Sequence, residues 1–571
     1  MTVPARHTGP VRIPAILAGA RRWTFAALVA NGVAQALLAA GAAVLVQRTF
    51  DGFSAGAAGE ASPLALGSAL AVALGASAWL RGRAHVDGER LGQAYVHAVR
   101  MRLFRHVLAL GEERARTMSS GGLALRLTGD LSALRNWAAL GLARLTVSGL
   151  ATVLALLALG IVAPVIGALT ALSVALAGVL ILASGRPLRR TTRELRARRG
   201  RLAGFLNDRI VRLGVVEAFG QQVREARRFA RLSRAVRGAA LLRARSVGLM
   251  RALADASAGA ATGGAVLSGG VLMHLGHATP GTVAAAMAVG GLLAARLQDL
   301  GRVYEYRTGA EVARAKIEEI LAIRPAGVRP RGVRRLPQAA GPLTLDRVRV
   351  PGRLGPVGLE IAAGERVLVT GANGAGKSTL LRVMAGLIAP VRGRVRLDGI
   401  RLDRMREEDI RGLITLVSPD LPLLKGSLRL NLSYGAPGAP DEALTAMLER
   451  CGLEGLLARL PGGLDTRIAE GGFGLSSGER MRLALARALM VRPRVLLLDE
   501  ADAHLDPPSR RTLAAIAGEF PGTVVFASHQ GSGFCAGRTL RLDRGRIAEE
   551  SGAPDSAHPP ACRSVHLVEV S

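Results

Sequence analysis

Six apolar stretches precede residue 300: Trp23–Val46, Pro63–Leu80, Leu145–Ala163, Val165–Ser184, Ala252–Leu275 and Thr282–Ala295. Most approach the roughly 20 residues that a helix needs to cross a hydrocarbon core. The sixth is short. Uncharged runs of this length are hard to place as buried core helices of a soluble protein, so the first half reads as a membrane domain. The first stretch is too long for a signal-peptide apolar region and has no clear cleavage site.

The segments between the stretches set an orientation. Residues 1–22 carry four arginines and no acid, 81–144 carry 11 arginines and 186–251 carry 19. The segments 47–62 and 276–281 carry only Arg48 between them. Arginine-rich flanks mark the cytoplasmic side, so the N-terminus and both long segments are expected there. This distribution accounts for much of the net charge of +32 without a nucleic-acid partner. A mean hydropathy of +0.29 is what a membrane half joined to a soluble half would average. Cys451, Cys535 and Cys562 have neither metal-ligand spacing nor the look of a disulfide framework.

The two basic segments are not loose loops. "HVDGERLGQAYVHAVRMRLFRHVLAL" and "LNDRIVRLGVVEAFGQQVREARRFARL" place apolar residues at helical spacing. They are expected to be membrane helices running on into the cytoplasm. Asp255, near the start of the fifth stretch, has two readings. It could line a substrate cavity, or pair with Arg251 one turn away at the membrane edge. The spacing favours the pair.

Residues 323–342, rich in Pro, Gly and Arg, read as a linker. Beyond it, strand-like runs alternate with helices, as in "RVLVTG", "KSTLLRVMAGL", "RVLLLDE" and "TVVFASH". That alternation predicts an α/β domain with largely parallel strands. "GANGAGKST" (Gly371, Ala372, Asn373, Gly374, Ala375, Gly376, Lys377, Ser378, Thr379) satisfies the G-x-x-x-x-G-K-[ST] phosphate-loop pattern, with a strand before it and a helix after. Such a loop turns backbone N–H groups and a helix N-terminus towards phosphates. Lys377 is expected to reach the β- and γ-phosphates of ATP, and Ser378 to bind Mg²⁺. Asp499 and Glu500 end an apolar strand, where one carboxylate can hold the metal and the other polarise an attacking water. His529, closing the next strand, is expected to contact the γ-phosphate.

Between these motifs lies "GLSSGERMRLALARALMVRPRVLLLDE", and here the sequence resembles an ABC transporter of the exporter group, with six membrane helices fused before one nucleotide-binding domain. "LSSGE", Leu475–Glu479, resembles the family signature L-S-G-G-Q, and "ADAHLD", Ala501–Asp506, resembles the D-loop. "EGGFG" and "GGLALRLTGD" resemble the segments through which cassette and membrane domain touch. The resemblance runs over about residues 20–550. It implies an all-α transmembrane domain (1–322), a linker (323–342), an α/β P-loop domain of the ABC type (343–550) and a disordered tail (551–571). It also implies two chains per transporter, a homodimer by default. Ser476, Gly478, Glu479 and Asp506 of one chain would then complete the ATP site of the other. The function implied is ATP-driven export or flipping of an apolar or amphipathic substrate across the cytoplasmic membrane.

The sequence departs from the family at four places. "VSPDLPLLKGS" aligns with a Q-loop of the form V-S-Q-D-x-x-L-F-x-G-T, and Pro419 stands where the glutamine helps bind Mg²⁺ and sense the γ-phosphate. No aromatic residue lies between Tyr306 and Tyr434 to stack on adenine, and Arg353 is the available substitute. Ser477 replaces a signature glycine, where a Cβ would crowd the backbone's approach to phosphate. Glu479 replaces glutamine. With Lys377, Asp499, Glu500 and His529 retained, the expectation is a working ATPase with altered coupling. One half of a heterodimer with a degenerate site and a non-transporting membrane ATPase are the alternatives. A soluble ABC ATPase acting on nucleic acid does not fit six spans and one cassette.

Overall fold

The computed structural model describes residues 13–54, 63–111, 114, 129–183, 185–323, 341–503, 505–528, 534 and 536–551. The linker, most of "GGLALRLTGD", His529 and the tail beyond 551 lie outside the described residues. The chain divides into two compact units that meet near residue 324 in sequence.

The first unit is helical. The elements are α1 (Arg21–Ser54), α2 (Pro63–Leu110), α3 (Leu131–Asn136), a π-helical turn (Trp137–Leu142), α4 (Ala143–Val162), α5 (Pro164–Ala183), α6 (Gly185–Val211), α7 (Leu213–Ala218), α8 (Gln222–His274) and α9 (Pro280–Ala322). Among the described residues five helical runs are long and apolar enough to cross a membrane. The sixth apolar stretch is helical too, as part of α9, but Arg296 and Asp299 cut its apolar run short. As expected from the helical spacing, α2 and α8 continue from apolar into basic sequence as single helices of 48 and 53 residues. Close packing needs small residues. A Cβ on Gly88 of α2 would come within 2.6 Å of the Ala139 carbonyl oxygen in the π-helical turn.

The expected pair between Arg251 and Asp255 does not form. Arg251 instead reaches across to α9 and meets Glu305 at 3.1 Å, alongside Arg243 at 2.6 Å. Glu305 is the better partner because it is largely buried and can hold two guanidinium groups at once. Asp255 is left exposed on α8.

The second unit holds the strands. β1 (Leu343–Val350), β2 (Leu354–Ile361), β4 (Arg392–Leu397) and β5 (Ile400–Arg401) form a four-stranded antiparallel sheet in the order β2-β1-β4-β5. β3 (Arg366–Thr370), β6 (Ile414–Val417), β9 (Val495–Asp499), β10 (Thr523–Ala527), β11 (Arg538–Asp543) and β12 (Arg546–Ser551) form a second sheet, ordered β12-β11-β3-β10-β9-β6. All of its pairings are parallel except β11 with β12. Every residue of β9 and β10 is buried. Burial on both faces is why these strands read as unbroken apolar runs. The helices are α10 (Lys377–Met384), α11 (Glu407–Leu413), α12 (Leu428–Leu432), α13 (Asp441–Arg450), α14 (Glu454–Arg459), α15 (Ser477–Leu489) and α16 (Pro507–Glu519). β7 (Gly426–Ser427) and β8 (Arg467–Ile468) make a short separate ladder.

Candidate nucleotide-binding site

The loop between β3 and α10 bends through three glycines with positive φ: Gly371 (146°), Gly374 (80°) and Gly376 (105°). Two of them also allow close approach. A Cβ on Gly371 would lie 2.3 Å from the Leu542 carbonyl oxygen, and one on Gly376 would lie 2.7 Å from that of Arg353. Lys377 folds back inside the loop, its Nζ donating to the carbonyls of Gly371 (2.7 Å) and Ala372 (3.2 Å). Burial lowers its pKa, against the pull of Glu500 and Asp499. A cavity of about 230 Å³ opens here, lined by Arg353, the loop from Gly374 to Thr379, and Glu500. Arg353, the side chain weighed as a stand-in for the absent adenine-stacking aromatic, thus lines the same cavity as the phosphate loop.

Asp499 ends β9 almost fully buried. Its Oδ1 accepts from Ser378 Oγ at 2.9 Å and its Oδ2 from Ser418 Oγ at 3.3 Å. Burial raises its pKa, more than these hydroxyls lower it. A serine hydroxyl beside a carboxylate is an all-oxygen donor set suited to a hard cation such as Mg²⁺. Glu500 follows with φ of 48°, a conformation that costs a non-glycine residue about 1–3 kcal/mol and persists where the surroundings impose it. Here β10 imposes it, because the Glu500 N–H donates to the Ala527 carbonyl at 2.9 Å. The strand end is also tied to the next loop, since Ser528 Oγ donates to the buried Asp502 at 2.6 Å.

Pro419 sits in a turn. Leu421 N–H donates to the Ser418 carbonyl at 3.0 Å, which puts proline at the second turn position, where its fixed φ is favourable and its missing N–H is not needed. The loop is then held on both sides. Asp420 pairs with Arg382 of α10, and Arg487 of α15 donates to the carbonyls of Leu421 (2.9 Å) and Pro422 (3.2 Å).

The signature residues gather at the start of α15. Ser476 is the N-cap: its hydroxyl accepts from Glu479 N–H at 3.1 Å, and Glu479 Oε2 accepts from Ser476 N–H at 2.8 Å. Glu479 also pairs with Arg459. Glutamate in place of glutamine thus completes a reciprocal cap and adds an ion pair. Burial raises the Glu479 pKa, but Ser476 and Arg459 outweigh it and the net shift is downward. Ser477 is the first residue of α15 and exposed. Gly478 packs on α16, where a Cβ would meet Ser509 Oγ at 3.0 Å and Asp506 Oδ1 at 3.2 Å. The fold therefore brings Gly478 and Asp506 together. None of the signature residues lines the phosphate-loop cavity of the same chain.

Sequence reasoning missed a polar network in the helical unit. Asn31 Nδ2 donates to the Leu80 carbonyl (3.0 Å) and Gln35 Nε2 to Asn31 Oδ1 (2.7 Å). Arg296 donates to Gln35 Oε1 (3.1 Å) and to Ser148 Oγ (3.2 Å), and Ser148 in turn to Asp299 Oδ2 (3.3 Å). The only sequence signal was Arg296 and Asp299 directly after a short apolar stretch.

Two family models match the chain in series: the ABC transporter transmembrane region over residues 25–295, and ABC transporter over residues 354–503. The chain belongs to the ABC transporter family. It is 29% identical over 490 residues to a multidrug efflux ATP-binding/permease protein of Mycobacterium tuberculosis, a match covering 82% of this chain and 40% of that one. It is 32% identical over 391 residues to an ATP-dependent lipid A-core flippase of Alkalilimnicola ehrlichii, covering 66% of this chain and 65% of that one. Both matches thus span less than two thirds of the relative's length. A bacterial Atm1-family ABC exporter solved with ATP bound has the same fold, with a TM-score of 0.80 at 24% identity, over 92% of this chain and 95% of that one. This ABC transporter is thus a membrane protein with a helical transmembrane region followed by one cassette.

Proposed function

We propose that two copies of this chain form an ATP-driven exporter that moves an apolar or amphipathic substrate across the cytoplasmic membrane. The N-terminus and the cassette face the cytoplasm. Residues 1–322 form the membrane domain and 343–550 the cassette. The observation that carries this reading is the cavity lined by the phosphate loop and Glu500, with Asp499 hydrogen-bonded to Ser378 of that loop and the signature residues held elsewhere on the same chain.

Lys377 and the loop from Gly371 to Thr379 bind the phosphates of ATP. Ser378 and Asp499 would hold Mg²⁺, which would supply charge neutralisation at the phosphates. Glu500 orients and polarises the attacking water, and His529 contacts the γ-phosphate. Ser476, Gly478, Glu479 and Asp506 serve the site of the partner chain. Two features of the helical unit favour an amphipathic cargo. A cavity of about 940 Å³ is lined by four arginines (Arg186, Arg189, Arg190 and Arg193) and Glu194, with Leu242 and Tyr304 among its apolar lining. Asp255, which does not pair with Arg251, is free to meet a cargo group.

A heterodimer, or a sensor that does not transport, is the second reading, favoured by Pro419 and by the missing adenine-stacking aromatic. The test is ATP hydrolysis by the purified protein in lipid. Hydrolysis should occur and be lost in Glu500→Gln. No hydrolysis, alone or with any partner subunit, would contradict the exporter.

A further inference from the structure

Pro419 removes a polar side chain from the loop that should feel the nucleotide's metal, yet the residue before it is aimed at the metal-binding carboxylate. Ser418 is buried, at 4% exposure. Its hydroxyl donates to Asp499 Oδ2, while Ser378 donates to Oδ1 of the same carboxylate. Both oxygens of Asp499 are therefore fixed, one from the phosphate-loop helix and one from the loop after β6. We propose that Ser418 takes over the task of the absent glutamine, as the positioning residue that sets the orientation of Asp499 for Mg²⁺ and links the metal site to the signature helix. The proposal rests on the ATPase reading above.

Three features support it. First, Ser418 is immobilised by the turn that Pro419 creates: Leu421 N–H bonds to its carbonyl (3.0 Å) and Asp420 N–H to its hydroxyl (3.3 Å). A hydroxyl that donates to a carboxylate and accepts from one N–H has a single allowed orientation, with one lone pair left over. Second, the turn is continuous with both nucleotide-facing helices, through Arg382–Asp420 on α10 and Arg487 on α15. A shift of Asp499 is thereby passed through Ser418 and the turn to Arg487, and so to the helix that presents Ser476 and Gly478. Third, the loop continues into a further anchor. Asn431 accepts from Leu424 N–H (2.8 Å) and donates to the Leu424 carbonyl (2.9 Å). The segment from Ser418 to Leu424 is thus held at each end and in the middle. A residue that orients a metal-binding carboxylate typically changes metal affinity by about 10–100-fold when removed.

The test uses the full chain in lipid nanodiscs, carrying Glu500→Gln to prevent turnover, with Mn²⁺ as the probe and its binding in the presence of ATP read by electron paramagnetic resonance. Ser418→Ala should weaken Mn²⁺ binding by about ten-fold, whatever melting-temperature change the lost buried hydrogen bond brings. Ser418→Thr, which keeps the hydroxyl, should bind like the parent. Adding Pro419→Gln to Ser418→Ala should restore binding, because the glutamine then performs its usual task. A merely structural role for Ser418 would move the melting temperature without a matching loss of Mn²⁺ affinity, and any affinity loss would not be rescued by Pro419→Gln. Equal Mn²⁺ affinity in parent and Ser418→Ala would overturn the proposal and leave the ATPase reading standing. Absence of ATP-dependent Mn²⁺ binding in the parent would overturn both.

Discussion

In the proposed mechanism Glu500 is the residue on which hydrolysis turns. Removing a general base costs about 10²–10⁴-fold in rate, so Glu500→Gln should lose turnover by that order and keep nucleotide binding, as read by a fluorescent ATP analogue. At Glu479 the cap and the ion pair with Arg459 have separable effects. Glu479→Ala removes both and should destabilise the cassette by about 1 kcal/mol, whereas Glu479→Gln keeps the cap and should cost less, as measured by thermal unfolding. Because its pKa is lowered in the folded state, the contribution of the Glu479 charge is present above the usual glutamate value of 4.5. It is lost as pH falls through the lowered value, so the difference between parent and Glu479→Gln should vanish in acid. Burial pushes the Cys451 thiol up to about 12, so at pH 8 it should resist alkylation until the chain unfolds, which mass spectrometry of labelled peptides would show. The phosphate loop was legible because its chemistry is local: nine consecutive residues carry the glycines, the lysine and the serine. The bond from Ser418 to Asp499 was not, because it joins residues 81 apart in sequence. Pro419 was read as a lost side chain, though Ser-Pro-Asp is also a turn signal; the turn, with Ser418 held in it, is what the structure adds.

Among the elements, the long helices were legible because apolar runs and helical spacing persist across the membrane boundary, as in α2 and α8. Their cross-links were not. Asn31, Gln35, Ser148, Arg296 and Asp299 come from α1, α4 and α9, and nothing in any one segment announces the others. Asn31, Gln35 and Ser148 are buried, and a buried polar group that loses its partner costs about 1–3 kcal/mol. Arg296→Leu removes the bonds that Gln35 Oε1 and Ser148 Oγ accept and should lower stability in detergent by about that amount. Gln35→Leu in the same background should then cost less than it does in the parent, because only the bond to Asn31 is left to lose; a fully additive loss would show that Gln35 and Arg296 do not interact. Asp255 shows the limit of spacing arguments. Arg251 sits one turn away on α8, but a largely buried glutamate on α9 competes for it and wins.

In the whole molecule, a helical unit and a cassette unit follow one another, and the order of apolar stretches and nucleotide motifs made that order legible. The proposed completion of the ATP site by a second chain was legible only through the family resemblance, because no single segment of one chain carries it. Within one chain the signature residues do not line the cavity that holds Lys377 and Glu500. Sharing of the site between two chains is tested most directly by mixing two inactive variants. Lys377→Ala spoils the phosphate loop and leaves the signature intact, while Ser476→Arg spoils the signature at an exposed position and leaves the phosphate loop intact. Co-expressed chains that pair at random give about half mixed dimers, each with one intact shared site, so about a quarter of parental ATP hydrolysis should return if the two sites act independently. Hydrolysis that stays at the level of the single variants, in dimers shown to contain both chains, would contradict a site built across the dimer.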